Sequence, residues 1–373
     1  MSIFSRTDTQ MQDPKAAGRP RSLFRWGAGI GGLLFFLVAV QLLKSATGEM
    51  TPTLERVLPR LVRDDLSALG TSWLAAYLLL NGSVVAALAL TLYNASLLTT
   101  SQLVLMVFGS RLGAAGIVLL VGVLDFFHHR RLTVRKASEL GVIAFLVTHT
   151  IGLPATAIGA LWTHTRPLGW VPHEAGEMAG HLHMPHVIDW LAATVVAHAG
   201  PLLSVLAAMG LLLGGLRLLG RVFDEVDFEQ IRERYRRYFS SRWVAFGVGL
   251  GLTALTTSIA FSLGVIVPIY NRGYLRHREV IPYMFGANIG TLLDTVVVSL
   301  FVEVAGGVEA VLLVAAVTAL VTLPALVALK RYQMLIDVVL NRLLDSRRAF
   351  LLFLGSLGLG PLALVGVGWW LAG

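Results

Sequence analysis

The sequence predicts an all-α integral membrane fold of two inverted-topology repeats, each with a re-entrant helical hairpin and a broken transmembrane helix. Three observations predict it: composition, an internal register, and the placement of basic residues. The 373 residues are 55% hydrophobic and 14% charged, with a mean hydropathy of +0.73, whereas soluble domains carry about a quarter charged residues. The run Gly286-Ala287-Asn288-Ile289-Gly290-Thr291 has a degenerate copy in Gly109-Ser110-Arg111-Leu112-Gly113. A Tyr-Asn pair begins 16 positions before each first glycine, at Tyr93 and Tyr270, so the copies lie 177 residues apart. The register extends outward, from Gln41-Leu42-Leu43 to Arg217-Leu218-Leu219 at an offset of 176, and from Leu153-Pro154-Ala155 to Leu323-Pro324-Ala325 at 170. An internal repeat in an apolar chain is the architecture from which secondary transporters are built.

The elements follow in order. Met1 to Arg25 is polar and basic, and the apolar stretch after it is read as a retained first span because it has a counterpart in the second repeat. Apolar runs long enough to span lie near 27–46, 102–127, 139–163, 187–219, 280–305, 309–328 and 349–372. The run 187–219 is too long for one straight span, and Pro201 predicts a kink within it. Two further runs, 68–92 and 242–270, are interrupted by Asn81-Gly82-Ser83 and by Thr256-Thr257-Ser258, and read as hairpins entering and leaving on one side. The resulting organisation is an N-terminal tail (1–26), a first repeat (27–163), a His-rich linker (164–186), a second repeat (187–328), and a polar segment with a final span (329–373).

Lysine and arginine set the predicted topology. Loops 128–138, 220–241, 271–279 and 329–348 are basic and predicted cytoplasmic. Loops 94–101 and 306–309 hold no Lys or Arg, and 164–186 holds only Arg166; these are predicted outside, as is the mixed-charge loop 47–66. Trp162, Trp170, Trp369 and Trp370 fall at predicted outside ends, where amphipathic rings prefer the headgroup level. The N-terminus is then cytoplasmic, in the inner (plasma) membrane. Span 27–46 runs outward and its counterpart 204–219 inward, which makes the repeats inverted; two parallel repeats are the alternative. Segment 221–241 reads as an amphipathic helix on the cytoplasmic surface. The net charge of +8 is spread over loop clusters and so does not point to nucleic acid. With no cysteine, disulfides and thiolate metal sites are excluded.

A hairpin followed by Gly-x-Asn-Ile-Gly-Thr, present twice, resembles the type II sodium–phosphate cotransporter family. In that family each hairpin carries a Gln-Ser-Ser-Ser motif, and hairpin hydroxyls with neighbouring backbone coordinate sodium and phosphate. Gly247 to Ser299 is the stronger match, with Thr256-Thr257-Ser258 near the serine run. The first half departs from the pattern: Ser83 alone remains of the serines, and Arg111 replaces the asparagine. No glutamine precedes either run, and Leu255 stands in its place in the second. The resemblance implies sodium-coupled transport of a small anion, phosphate first, with membrane lipid, the anion and Na⁺ as partners and no cofactor beyond the coupling ion. A homodimer is compatible with it.

The implied substrate-binding set is Asn81, Ser83, Arg111, Thr256, Thr257, Ser258, Asn288 and Thr291, with Asn288, Thr291 and Asp294 serving the coupling ion. From the residues alone, helix breaks expose N–H groups to anions and carbonyls to Na⁺, while Gly286 and Gly290 also fit a plain Gly-x-x-x-Gly packing face. Arg111 and Asp294 stand inside predicted spans, where a charge costs several kcal/mol unless it faces a cavity or a partner. Either Arg111 attracts the anion and Asp294 the coupling ion, or the two form a structural pair across the repeats. Asp125 and Glu303 read as interfacial, and His149 and His198 as hydrogen-bonded structural histidines. His173, Glu174, Glu177, His181, His183 and His186 could ligate a peripheral metal, but a solvated linker is the simpler reading and no metal is assigned. The chain is not read as an enzyme. A His-dependent membrane metalloenzyme is the weaker rival, because His128 and His129 fall on the predicted inside, away from the linker histidines. A non-transporting scaffold or sensor on a decayed transporter fold is the other.

Overall fold

Pro20 begins a helix of 42 residues, α1 (Pro20–Leu61), in a computed structural model that describes residues 20–79, 81–128, 134–166, 186–221, 241–256, 262, 270, 277–302 and 305–372. The predicted outside loop 47–66 is therefore helical as far as Leu61. Two helices follow, α2 (Asp65–Leu79) and α3 (Gly82–Asn94), and then α4 (Thr100–His128) and α5 (Val134–Thr165). The run 187–219 divides at Gly200, whose φ of +80° only glycine adopts freely, into α6 (His186–Ala199) and α7 (Pro201–Arg221). The second half continues with α8 (Arg242–Thr256), α9 (His277–Gly290), α10 (Leu292–Val302), α11 (Ala305–Val327), α12 (Leu329–Asp345) and α13 (Arg347–Ala372). No strand occurs among the described residues. The predicted 221–241 helix, Glu303 and the linker from His173 to His183 lie outside them.

Five described stretches are long and apolar enough to cross a membrane: Ile30–Met50, Glu139–Thr165, Glu279–Val302, Gly306–Val327 and Arg348–Ala372. The large side chains that α13 leaves exposed, among them Leu351, Leu352, Leu359, Leu362 and Trp370, suit lipid rather than water. The polar stretch predicted as loop 329–348 is mostly helix. Gln333, Ile336 and Leu340 of α12 are buried, and the last two join a core cluster with Leu140, Ile143 and Val147 of α5.

The run 68–92 is not one helix. Leu69, Trp73 and Tyr77 of α2 meet Gly109, Gly113 and Gly116 of α4 in turn, so these two helices run parallel. Gly82 at the start of α3 abuts Ser110 and Ala114, whereas Tyr93 near its end hydrogen-bonds Thr100 at the start of α4 (3.1 Å), so α3 runs antiparallel to α4. Helices α2 and α3 are therefore antiparallel, with Asn81 at the turn, and they reach only part-way along the 29-residue α4.

The register of the sequence reappears in contacts. A Cβ on Gly109 would stand 2.4 Å from the Leu69 carbonyl oxygen, and one on Gly286 would stand 1.9 Å from that of Phe246. On Gly113 it would meet the Trp73 oxygen at 2.6 Å, and on Gly290 the Leu250 oxygen at 2.5 Å. Leu69 and Phe246, like Trp73 and Leu250, are 177 residues apart. Both Gly-x-x-x-Gly frames are thus packing faces, the first against α2 and the second against α8. This corrects one expectation. Helix α4 passes through Gly109–Gly113 unbroken, and the glycines there serve the contact with α2 rather than a break. Only the second frame coincides with a break, at Thr291 between α9 and α10.

Contacts also sort the chain into two ends. At one, His164 of α5 and Ser101 of α4 bind Asp65 (2.7 and 2.5 Å), Trp369 donates to the Leu61 carbonyl (3.1 Å), and Gly306 abuts Tyr93. At the other, Arg242 donates to the carbonyl of Val327 (2.7 Å) and Tyr270 to Glu139 (3.1 Å). His164 and Glu139 belong to one helix, about 37 Å apart at 1.5 Å per residue. The hairpin α2–α3 opens at the first end, and Arg242 and Tyr270, which bracket the second interrupted run, lie at the other.

Candidate functional site

Arg111 projects from α4 beside the Asn81 turn, one residue past the Ser110 carbonyl that Gly82 touches. Its guanidinium binds Asp294 Oδ1 at 3.3 Å and also the Thr295 hydroxyl, both on α10. Thr295 in turn donates to Asp294 Oδ1 at 2.9 Å. The Asp294 side chain is 1% exposed and that of Arg111 13%. Both charges are largely buried, and the pair bridges the two halves of the chain. Two atoms are left over: Asp294 Oδ2 and Arg111 Nε are buried without a hydrogen-bond partner. A buried charge with an unused valence is expensive, and each partner of this pair keeps one polar atom unsatisfied.

A second polar contact lies on α9. Asn288 stands 177 residues after Arg111, in the equivalent place, and its Oδ1 accepts from the Thr148 hydroxyl of α5 (3.0 Å). Thr291, at the break, donates its hydroxyl to the Asn288 carbonyl (3.0 Å). Asn81 spends its side-chain oxygen capping α3, accepting from the backbone of Ser83 (2.8 Å) and Val84 (3.2 Å). This is what a residue at a helix N-terminus is suited for. Ser83 is partly buried in the first turn of α3.

Of the residues singled out from sequence, the structure brings Arg111 to Asp294 and Asn288 to Thr291. It places Asn81 and Ser83 at the turn beside Arg111. Thr256 ends α8 with its side chain outside the described set, where Thr257 and Ser258 also fall. Asp125 lies on α4, likewise without a described side chain. His149 hydrogen-bonds the Phe145 carbonyl (2.9 Å) and stacks on its ring at 3.6 Å between centroids; His198 bonds the Thr194 carbonyl (2.8 Å). No group of three metal-ligating side chains occurs among the described residues.

Sequence reasoning missed Thr295 and Thr148, which hold Asp294 and Asn288. It also missed a buried hydroxyl chain beside α8: Thr253 donates to Ser262 (2.6 Å), which shares a hydrogen bond with Tyr283 (2.5 Å).

Residues 211–341, from the last turns of α7 to α12, match the family model described as Na+/Pi-cotransporter. Over that stretch, which is less than half of the chain, the sequence is similar to the Na+/Pi-cotransporter family. That similarity and the five helices long and apolar enough to span support a membrane protein. The matched stretch takes in the Gly286–Thr291 frame, Asp294 and Thr295, while Arg111 and the Asn81 turn lie before it. No curated protein and no solved structure matches the chain.

Proposed function

We propose that the protein is a secondary active transporter that couples inward movement of Na⁺ to uptake of a small anion, inorganic phosphate first, across the plasma membrane with its N-terminus cytoplasmic. The observation that carries the reading is the buried Arg111–Asp294 pair, each partner with an unused polar atom, in a chain that is similar to the Na+/Pi-cotransporter family over residues 211–341. Arg111 supplies the charge for an oxyanion, and Asp294, Asn288 and Thr291 supply oxygen ligands for the cation. Ser83 and the hydroxyls of Thr256, Thr257 and Ser258 complete the proposed site from the two hairpins.

Support for alternating access comes from the two ends of the molecule. One hairpin opens at the Asp65 end and the other interrupted run begins and ends at the Arg242 end, as inverted repeats with re-entrant hairpins require. Recurrence of the Gly-frame contacts at one register supports the same reading. Initial rates of radiolabelled phosphate uptake into proteoliposomes, with Na⁺ or choline outside, test it. Faster uptake in Na⁺ is expected. If neither phosphate, sulfate nor a small carboxylate enters in either salt, the scaffold reading replaces it; that reading draws on Arg111 being neutralised by Asp294.

A further inference from the structure

We infer that Asp294 is a built-in competitor for the substrate: it occupies Arg111 until a monovalent cation draws the carboxylate away, so cation binding is the event that frees Arg111 for the anion. The inference rests on the transport reading above and adds the group that holds the anion site closed, Asp294.

The contact between the two charges is incomplete in a specific way. Arginine and a carboxylate frequently pair in a bidentate fork, two parallel N–H···O bonds of about 2.7–2.9 Å. Here one guanidinium nitrogen meets one oxygen at 3.3 Å, and Arg111 Nε and Asp294 Oδ2 are unpartnered although buried. Thr295 stands between them, accepting from Arg111 and donating to Asp294 Oδ1. Each unused atom matches a different ligand. Asp294 Oδ2, with Oδ1 and the Thr295 oxygen beside it, offers a cation three oxygens from two adjacent residues. Arg111, once released, offers an oxyanion Nε together with its terminal nitrogens, the geometry that suits phosphate or carboxylate.

Charge accounting gives the coupling. The closed pair is neutral, so an anion arriving alone must displace a carboxylate and leave it buried without compensation, which is strongly unfavourable. A cation arriving with the anion restores neutrality: one cation suffices for a monoanion, and two are needed for a dianion. The exchange is also placed to be felt elsewhere, because Arg111 follows the Ser110 carbonyl against which the hairpin turn packs, and α3 itself packs on α10.

Equilibrium binding of radiolabelled phosphate to the purified full-length chain at fixed pH, in NaCl or choline chloride, tests the inference. The wild type is expected to bind about tenfold or more tightly in Na⁺, within the usual range for coupling between two sites. Asp294→Asn removes the competing charge and is expected to bind in choline with an affinity within about threefold of the wild type in Na⁺, with no further gain from Na⁺. A folded Asp294→Asn that still requires Na⁺, or that binds phosphate in neither salt, overturns the inference while leaving the transport reading intact. Asp294→Ser repeats the test if the asparagine variant does not melt cooperatively; if neither variant folds, the pair is structural and the inference falls. A wild type that binds no phosphate in Na⁺ overturns the transport reading itself.

Discussion

Thr295 and Thr148 are the residues on which the two polar contacts depend, and neither stands out in the sequence. Hydroxyls in an apolar helix usually bond back to their own chain, as Thr150, Thr156, Thr318 and Thr322 do here with the carbonyl four residues earlier. Thr148 and Thr295 instead reach side chains, Thr148 across to α9 and Thr295 to Asp294 and Arg111. Residue type alone cannot separate the two uses. Arg111 and Asp294 were legible because a charge inside an apolar run demands a partner or a cavity; that they would choose each other was one of two readings. Removing one member of a buried pair strands the other. Arg111→Leu should therefore destabilise the protein by about 3–5 kcal/mol, and the double change Arg111→Leu with Asp294→Leu should recover most of that loss. Thermal melts in detergent decide the matter: a double variant no more stable than Arg111→Leu would mean the two charges are not energetically coupled.

At the scale of elements, glycine frames explain more of the structure than helix breaks do. Gly286 lies so close to the Phe246 carbonyl that a methyl group must push α8 and α9 apart. Gly286→Ala should cost about 1–3 kcal/mol, the usual penalty of overpacking. Gly360 of α13 faces open space, so Gly360→Ala should change stability by no more than about 0.5 kcal/mol. Equal melting shifts for the two would show that the frame is not a tight contact. Asn81→Ala removes the cap of α3 and should cost about 1 kcal/mol; unchanged melting would mean that the turn has another support. Interruption of 68–92 at Asn81 was readable because a cap and a glycine punctuate an apolar run. The helical stretch from 47 to Leu61 and helix α12 were not readable from hydropathy. Their charges lower the local average to that of a loop, and α12 declares itself only through the spacing of Gln333, Ile336 and Leu340 once α5 is there to cover them.

For the whole molecule, the positive-inside pattern and the observed contacts agree on which segments lie together, although they are independent: one counts charges in loops, the other follows side chains between helix ends. The chain has no cysteine, so a single introduced thiol reports one side. Arg166→Cys and Arg331→Cys should react with an impermeant maleimide from opposite faces of the membrane; labelling from the same face would contradict the assignment of the two ends. The all-helical, membrane-spanning class was readable because hydropathy persists over long stretches, whereas the unbroken α4 was not, since a frame that packs and a frame that breaks have the same glycine spacing. Coupled transport shows itself as gradient-driven accumulation. In proteoliposomes with an inward Na⁺ gradient, the steady-state ratio of internal to external radiolabelled phosphate should rise above unity and fall back to it when a sodium ionophore dissipates the gradient. A ratio that stays at unity with the gradient intact would contradict coupled transport.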